Sequence, residues 1–129
     1  MEGNGGGVGM NLKKILHDLQ KYMDKSDLVS ARRLIEEHLQ LLLVNKNLLN
    51  RNIREMVDIL ASMEETGFRP LNRQELNQIH HINSYASTFD LRGLKLSIEE
   101  NPELLMREDV KHYLNADAKA LLEGMSAIS

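Results

Sequence analysis

Several histidine and carboxylate pairings in this chain are of types that could do chemistry. His17-Asp18 is the pair that metal phosphohydrolases use, but such sites need further histidines and aspartates on other helices. Glu36-Glu37 and Glu99-Glu100 are paired carboxylates that two related helices could aim at a metal. Di-iron bundles add Glu-x-x-His on two further helices. Here Glu36 is followed three residues later by Leu39 and Glu100 by Glu103, so only Asp109-x-x-His112 comes near that pattern. His80 and His81 are adjacent, and on a helix they diverge by about 100°, which makes them poor ligands of one ion. No serine sits in a nucleophile-elbow context, and the absence of cysteine excludes thiolate ligands, thiol nucleophiles and disulfides. No catalytic, metal-binding or cofactor-binding residue is therefore assigned. A metal-dependent enzyme using histidine and glutamate is the least favoured reading.

A second chemistry is nucleic-acid contact. Residues 44–54, VNKNLLNRNIR, hold Lys46, Arg51 and Arg54 without an acid, and Asn47, Asn50 and Asn52 could reach bases or phosphates from a recognition helix. Against this stand the net charge of −3 and the equivalent stretch from Arg107 to Asp117, which is richer in acids than in bases. A DNA-binding regulator using the basic helix near 46–54 is the alternative reading.

These residues must be positioned by helices. The segment from Ile15 to Leu43 can be laid on the segment from Gln78 to Met106 at one constant offset, without a gap. Nine pairs then match: His17/His80, Tyr22/Tyr85, Asp27/Asp90, Leu28/Leu91, Ile35/Ile98, Glu36/Glu99, Glu37/Glu100, Leu41/Leu104 and Leu42/Leu105. Roughly two would coincide at a random offset. Leu28, Ile35 and Leu42, and their partners Leu91, Ile98 and Leu105, are spaced as a helix seam facing a core. The expected fold is all-α, with six helices arranged as two internally duplicated three-helix units in one bundle. The units span residues 11–68 and 69–129. A repeat of this length, holding three helices, does not fit tetratricopeptide hairpins.

Within each unit the boundaries follow from local chemistry. Apolar residues Leu12, Ile15, Leu16, Leu19, Tyr22 and Met23 make one helical face. Asp27 and Asp90 are expected N-caps, and Asn72 with Glu75 reads as a capping box. The second helix should run from about Asp27 to Val44, with a break at Asn45-Lys46-Asn47 before the third, which should end at Thr66-Gly67. Pro102, standing where Leu39 stands, should stop or kink the fifth helix near Asn101 as the main departure from the first unit. The sixth helix is expected near Asp109 to Ser126.

Residues 1–10 read as a flexible glycine-rich arm preceding a single domain over 11–129. Codons for Gly6-Gly7 can carry a bacterial ribosome-binding sequence just before Met10, so Met10 is the expected initiator and a bacterium the expected source.

A hydrophobic content of 42% with few aromatics favours helix packing, and no apolar run reaches membrane-spanning length. Lack of cysteine suits the cytoplasm, and no secretory leader is expected. With catalysis unassigned, the reading is a small cytosolic non-enzymatic module that binds another protein or itself, as a homodimer. Its expected contact residues are Leu41, Leu43 and Val44, in a run apolar on every side, together with the adaptable side chains of Met56 and Met63.

Overall fold

The computed structural model describes residues 4–67 and 69–129. They form eight α-helices and two 3-10 segments, rather than six helices, and contain no strand. In order these are α1 (Asn4–Asp24), α2 (Leu28–Glu37), α3 (Leu39–Val44), a 3-10 turn (Lys46–Leu48), α4 (Arg51–Thr66), α5 (Arg73–Ser87), α6 (Leu91–Glu100), α7 (Pro102–Leu105), a second 3-10 segment (Glu108–Tyr113) and α8 (Ala116–Gly124). Among the described residues no helix is long and apolar enough to cross a membrane.

The extra helices arise where the expected long ones break. The stretch from Asp27 to Val44 bends at His38 (φ −126°, ψ 30°), and the stretch after Asp90 bends at Asn101 (φ −131°, ψ 50°). Pro102 therefore marks a shared break rather than a departure of the second half. Leu39, without proline's constraint, begins α3 just as Pro102 begins α7. At His38 the N–H is shared between the carbonyls of Leu34 and Ile35, and the bend swings α3 onto α4. The expected sixth helix is also shorter, because Glu108–Tyr113 winds as 3-10 and Asn115 caps α8.

Backbone helix extends back to Asn4, where the composition suggests an irregular arm; residues 1–3 lie outside the described residues. Helix initiation is costly but extension of a formed helix adds one hydrogen bond per residue, and glycine weakens it by about 1 kcal/mol per position without forbidding it.

The anticipated caps hold. Asp27 Oδ1 accepts from Ser30 N at 3.1 Å and Asp90 Oδ1 from Gly93 N at 3.0 Å. Asn72 and Glu75 form a reciprocal capping box. α4 ends at Gly67, whose φ of 78° suits a residue without a Cβ.

The α1–α2 and α5–α6 turns have the same construction. Ser26 and Phe89 both take φ 57°. The following Asp27 N donates to Tyr22 O at 2.9 Å, and Asp90 N donates to Tyr85 O at 2.7 Å. This is the long backward bond of a Schellman ending. The end of α8 repeats it, with Ser126 at φ 59° and Ala127 N donating to Leu122 O at 2.9 Å. The starts of α4 and α8 also correspond. Asn50 Oδ1 accepts from Ile53 N and its Nδ2 reaches Gln20 on α1, while Asn115 Oδ1 accepts from Ala118 N and its Nδ2 reaches the Asn83 carbonyl on α5.

One continuous core joins all of this. Leu19, Ile35, Leu42, Met56 and Val57 from one half meet Ile82, Leu94, Ile98, Met106 and Leu122 from the other, all fully buried. Such burial is worth about 1.5–3 kcal/mol per large side chain.

Candidate interaction surface

The residues expected to make contacts separate in the structure. Val44, at the end of α3, is 79% exposed, and Leu48 stands exposed just beyond it. Leu41 and Leu43 are half-buried against the core. Met63 is half-buried and lines a cleft of about 240 Å³ with Leu39, Leu60, Glu36 and Glu64. Met56 is fully buried among core side chains and presents no surface, because it lies on the inner face of α4 beside Val57 and Leu60.

The basic stretch does not form one recognition helix. Lys46 lies in the 3-10 turn, Leu49 is extended, and α4 begins at Arg51. Lys46 Nζ is 2.6 Å from Asp58 Oδ1, and Arg51 Nε is 3.6 Å from Glu55 Oε1. Arg54 Nη2 donates to the carbonyl of Leu49 at 3.0 Å. Asn50 is committed to its cap and to Gln20. The acids of α4 that face these cations offset the positive charge that a phosphate backbone would require.

The histidine and carboxylate pairings are also dispersed. His17, His80 and His112 are exposed, and His81 tilts against Tyr85 with ring centroids 6.5 Å apart. Asp109 is taken by Arg107 and Glu36 by Arg32. Among the described residues no group of three histidine or acidic side chains is arranged to hold a metal ion.

A charged cluster lies where α4, α5 and α7 meet, around a cleft of about 270 Å³. Arg107 is only 1% exposed. Its Nε and Nη2 donate to the two oxygens of Asp109 at 3.0 and 2.8 Å, and Nη2 also donates to the Arg69 carbonyl. Arg69 forks onto Glu75, with both bonds at 2.7 Å. The Arg69 hydrogen bonds hold the Glu75 carboxyl below the usual carboxylate range, against the opposing effect of burial. Across the cleft, burial pushes Glu103 upward, with Glu55 and Glu75 adding to the effect. The cluster ties the linker between α4 and α5 to α7; Arg107 is the buried charge that the linker and Asp109 neutralise.

The two equivalent helix turns differ in what lies over them. At α1–α2, Val29 N donates to Ser126 O at 3.0 Å, and Arg32 Nη1 lies 2.6 Å from Glu108 Oε1. Leu28 and Arg32 share a cleft of about 260 Å³ with Ala127, Ile128 and Ser129. Leu28 in this cleft is 2% exposed, and Ser26 at the preceding turn is 5% exposed. At α5–α6 the matching positions carry Phe89 and Leu91, which are 68% and 45% exposed, and Leu96 one turn on is 50% exposed. Arg92 and Lys95 flank them and enter no ion pair among the described residues.

This second surface lies outside the expected contact residues. A signal for it exists in the sequence, since Phe89 aligns with Ser26 immediately before a capping aspartate, a position where a solvated turn needs no aromatic ring. No family model, no curated protein and no solved structure matches this chain.

Proposed function

We propose that the chain is a non-enzymatic protein-interaction or regulatory module, built from two related helical units and acting in the cytoplasm. The common geometry of the Asp27 and Asp90 turns, the common breaks at His38 and Asn101, and the Asn50–Gln20 and Asn115–Asn83 contacts support the duplication. The observation that carries the interaction reading is Phe89. A phenylalanine at φ 57° accepts backbone strain of about 1–2 kcal/mol, and at 68% exposure it recovers little of this by burial. The turn that the Asp90 amide closes holds the ring in this position at a cost to the isolated chain, and a partner that covered the ring would offset that cost. Val44 and Leu48 offer further apolar contact at the first unit. Pairing of Lys46 and Arg51 with acids favours a protein partner over nucleic acid.

Affinity capture of the full chain from its source cells, with nuclease treatment, tests the reading. The expected result is a stoichiometric protein that survives nuclease. Capture of nothing, or only of material lost with nucleic acid, would overturn it.

A further inference from the structure

The surface at the α5–α6 turn has a covered counterpart in the same molecule, and that counterpart indicates what belongs on it. Over α1–α2 the cover is the end of a helix. α8 turns through Ser126 in the left-handed region, the Ser126 carbonyl accepts the amide of Val29, and Ala127 and Ile128 follow, both buried. The amide of Val29 belongs to the first turn of α2, where no intrahelical acceptor exists, so the incoming carbonyl satisfies it. Beside this bond Arg32 pairs with Glu108.

Each recognition element recurs at the same offset that sets Asp27 over Asp90. Arg92 replaces Val29 and presents its amide in the first turn of α6. Leu91 replaces Leu28, and Lys95 replaces Arg32 as the cation. Two further changes enlarge the apolar area: Phe89 stands for Ser26 and Leu96 for Arg33. Among the described residues Arg92 and Lys95 have no carboxylate partner of the kind Arg32 has in Glu108, so this apolar face carries two cations open to an acidic partner, beside Asp90 at the cap and Glu99 one turn on.

We infer that Phe89, Leu91, Arg92, Lys95 and Leu96 form a docking site for the C-terminal turn of an acidic amphipathic helix from another protein. The inference rests on the interaction-module reading and names its surface and partner chemistry. The bound turn gives a carbonyl to the Arg92 amide, an aliphatic side chain to Leu91 and Phe89, and a carboxylate to Lys95. Phe89 is then the residue that closes over the apolar side chain, a role serine could not fill.

The test is amide chemical-shift mapping on the labelled full chain, titrated with a synthetic peptide of the sequence of residues 108–129, which holds both the Ser126 turn and the Glu108 carboxylate of the internal cover. Saturable shifts over residues 89–96 are expected below about 1 mM. The paired substitution Leu91→Glu and Leu96→Glu should weaken binding about tenfold or more. Both positions are exposed and glutamate is a good helix former, so the fold should persist. Arg92→Pro removes the amide donor within the first turn of α6, where that amide makes no intrahelical bond, and it should weaken binding as well. Shifts confined to residues 28–33, no saturable shift, or binding indifferent to these substitutions would each overturn the site. Concentration-dependent shifts at 89–96 without peptide would show that a second copy is the occupant, and would overturn the proposed partner. A captured protein that binds the Leu91→Glu, Leu96→Glu chain undiminished would remove this site while leaving the module reading intact.

Discussion

Val44 and Arg107, which the sequence offset that sets Asp27 over Asp90 also pairs, have exchanged the environments their side chains would suggest: the valine is 79% exposed and the arginine 1%. The reversal follows from what lies beside them. Arg107 follows α7, which packs on α4, and its guanidinium finds Asp109 and the Arg69 carbonyl there. Val44 ends α3 on the outer side of the molecule.

Truncating Arg107 should therefore be among the most damaging single changes. Arg107→Ala leaves Asp109 and the linker carbonyl without their donor, and a loss of about 1–3 kcal/mol is expected in urea unfolding. Val44→Ala, by contrast, should change stability by less than about 0.5 kcal/mol.

Asn50 and Asn115 each accept an amide at a helix start and brace the preceding long helix. Replacement of either by alanine should cost about 1 kcal/mol. The loss should be larger for Asn115, whose side-chain amide reaches Ser87 as well as the Asn83 carbonyl. Equal losses in thermal unfolding would show that the extra contacts contribute nothing.

Much of this plan can be read from residue types alone. Asp27, Asp90, Asn72 and Gly67 announce their caps and stops because each acts on backbone groups within a few residues. The break at His38 cannot be read in that way: no proline or glycine marks it, and the bend is set by how α3 meets α4. Arg107 is equally hidden, since its partners on the linker and at Asp109 make it a buried ion only after folding. Met56 resembles a contact residue in the sequence because its place on the inner face of α4 depends on which side of that helix meets the core.

Phe89→Asn should stabilise the isolated chain. Asparagine tolerates the left-handed region better, and little packing is lost from a mostly exposed ring, so a gain of about 0.5–1 kcal/mol is expected in thermal unfolding. The same change should weaken peptide binding. A variant less stable than the parent would mean that the ring supports the fold.

Glu103 and Glu75 should give opposite pH signatures. Burial raises the Glu103 carboxyl, so its protonated form favours folding: that contribution is present below the usual carboxylate value and is lost as pH rises through the raised one. Glu103→Gln should accordingly raise Tm at neutral pH by about 1–3 °C, with the gain shrinking in acid. Glu75 is lowered, chiefly by Arg69, so its contribution is present above the usual value and fades as pH falls through the lowered one. The stability lost by Glu75→Gln should therefore be seen at neutral pH and narrow in acid.

The bond from Val29 N to Ser126 O joins the start of α2 to the turn that ends α8. It gives the molecule a built-in clasp whose state can be timed. An amide in the first turn of a helix ordinarily exchanges its hydrogen quickly, because no earlier carbonyl within the helix holds it. The Val29 amide can exchange only when Ser126 lifts away. Its exchange rate is therefore a clock for the opening of one half from the other, and a slow rate would mean that the two halves open as a single cooperative body.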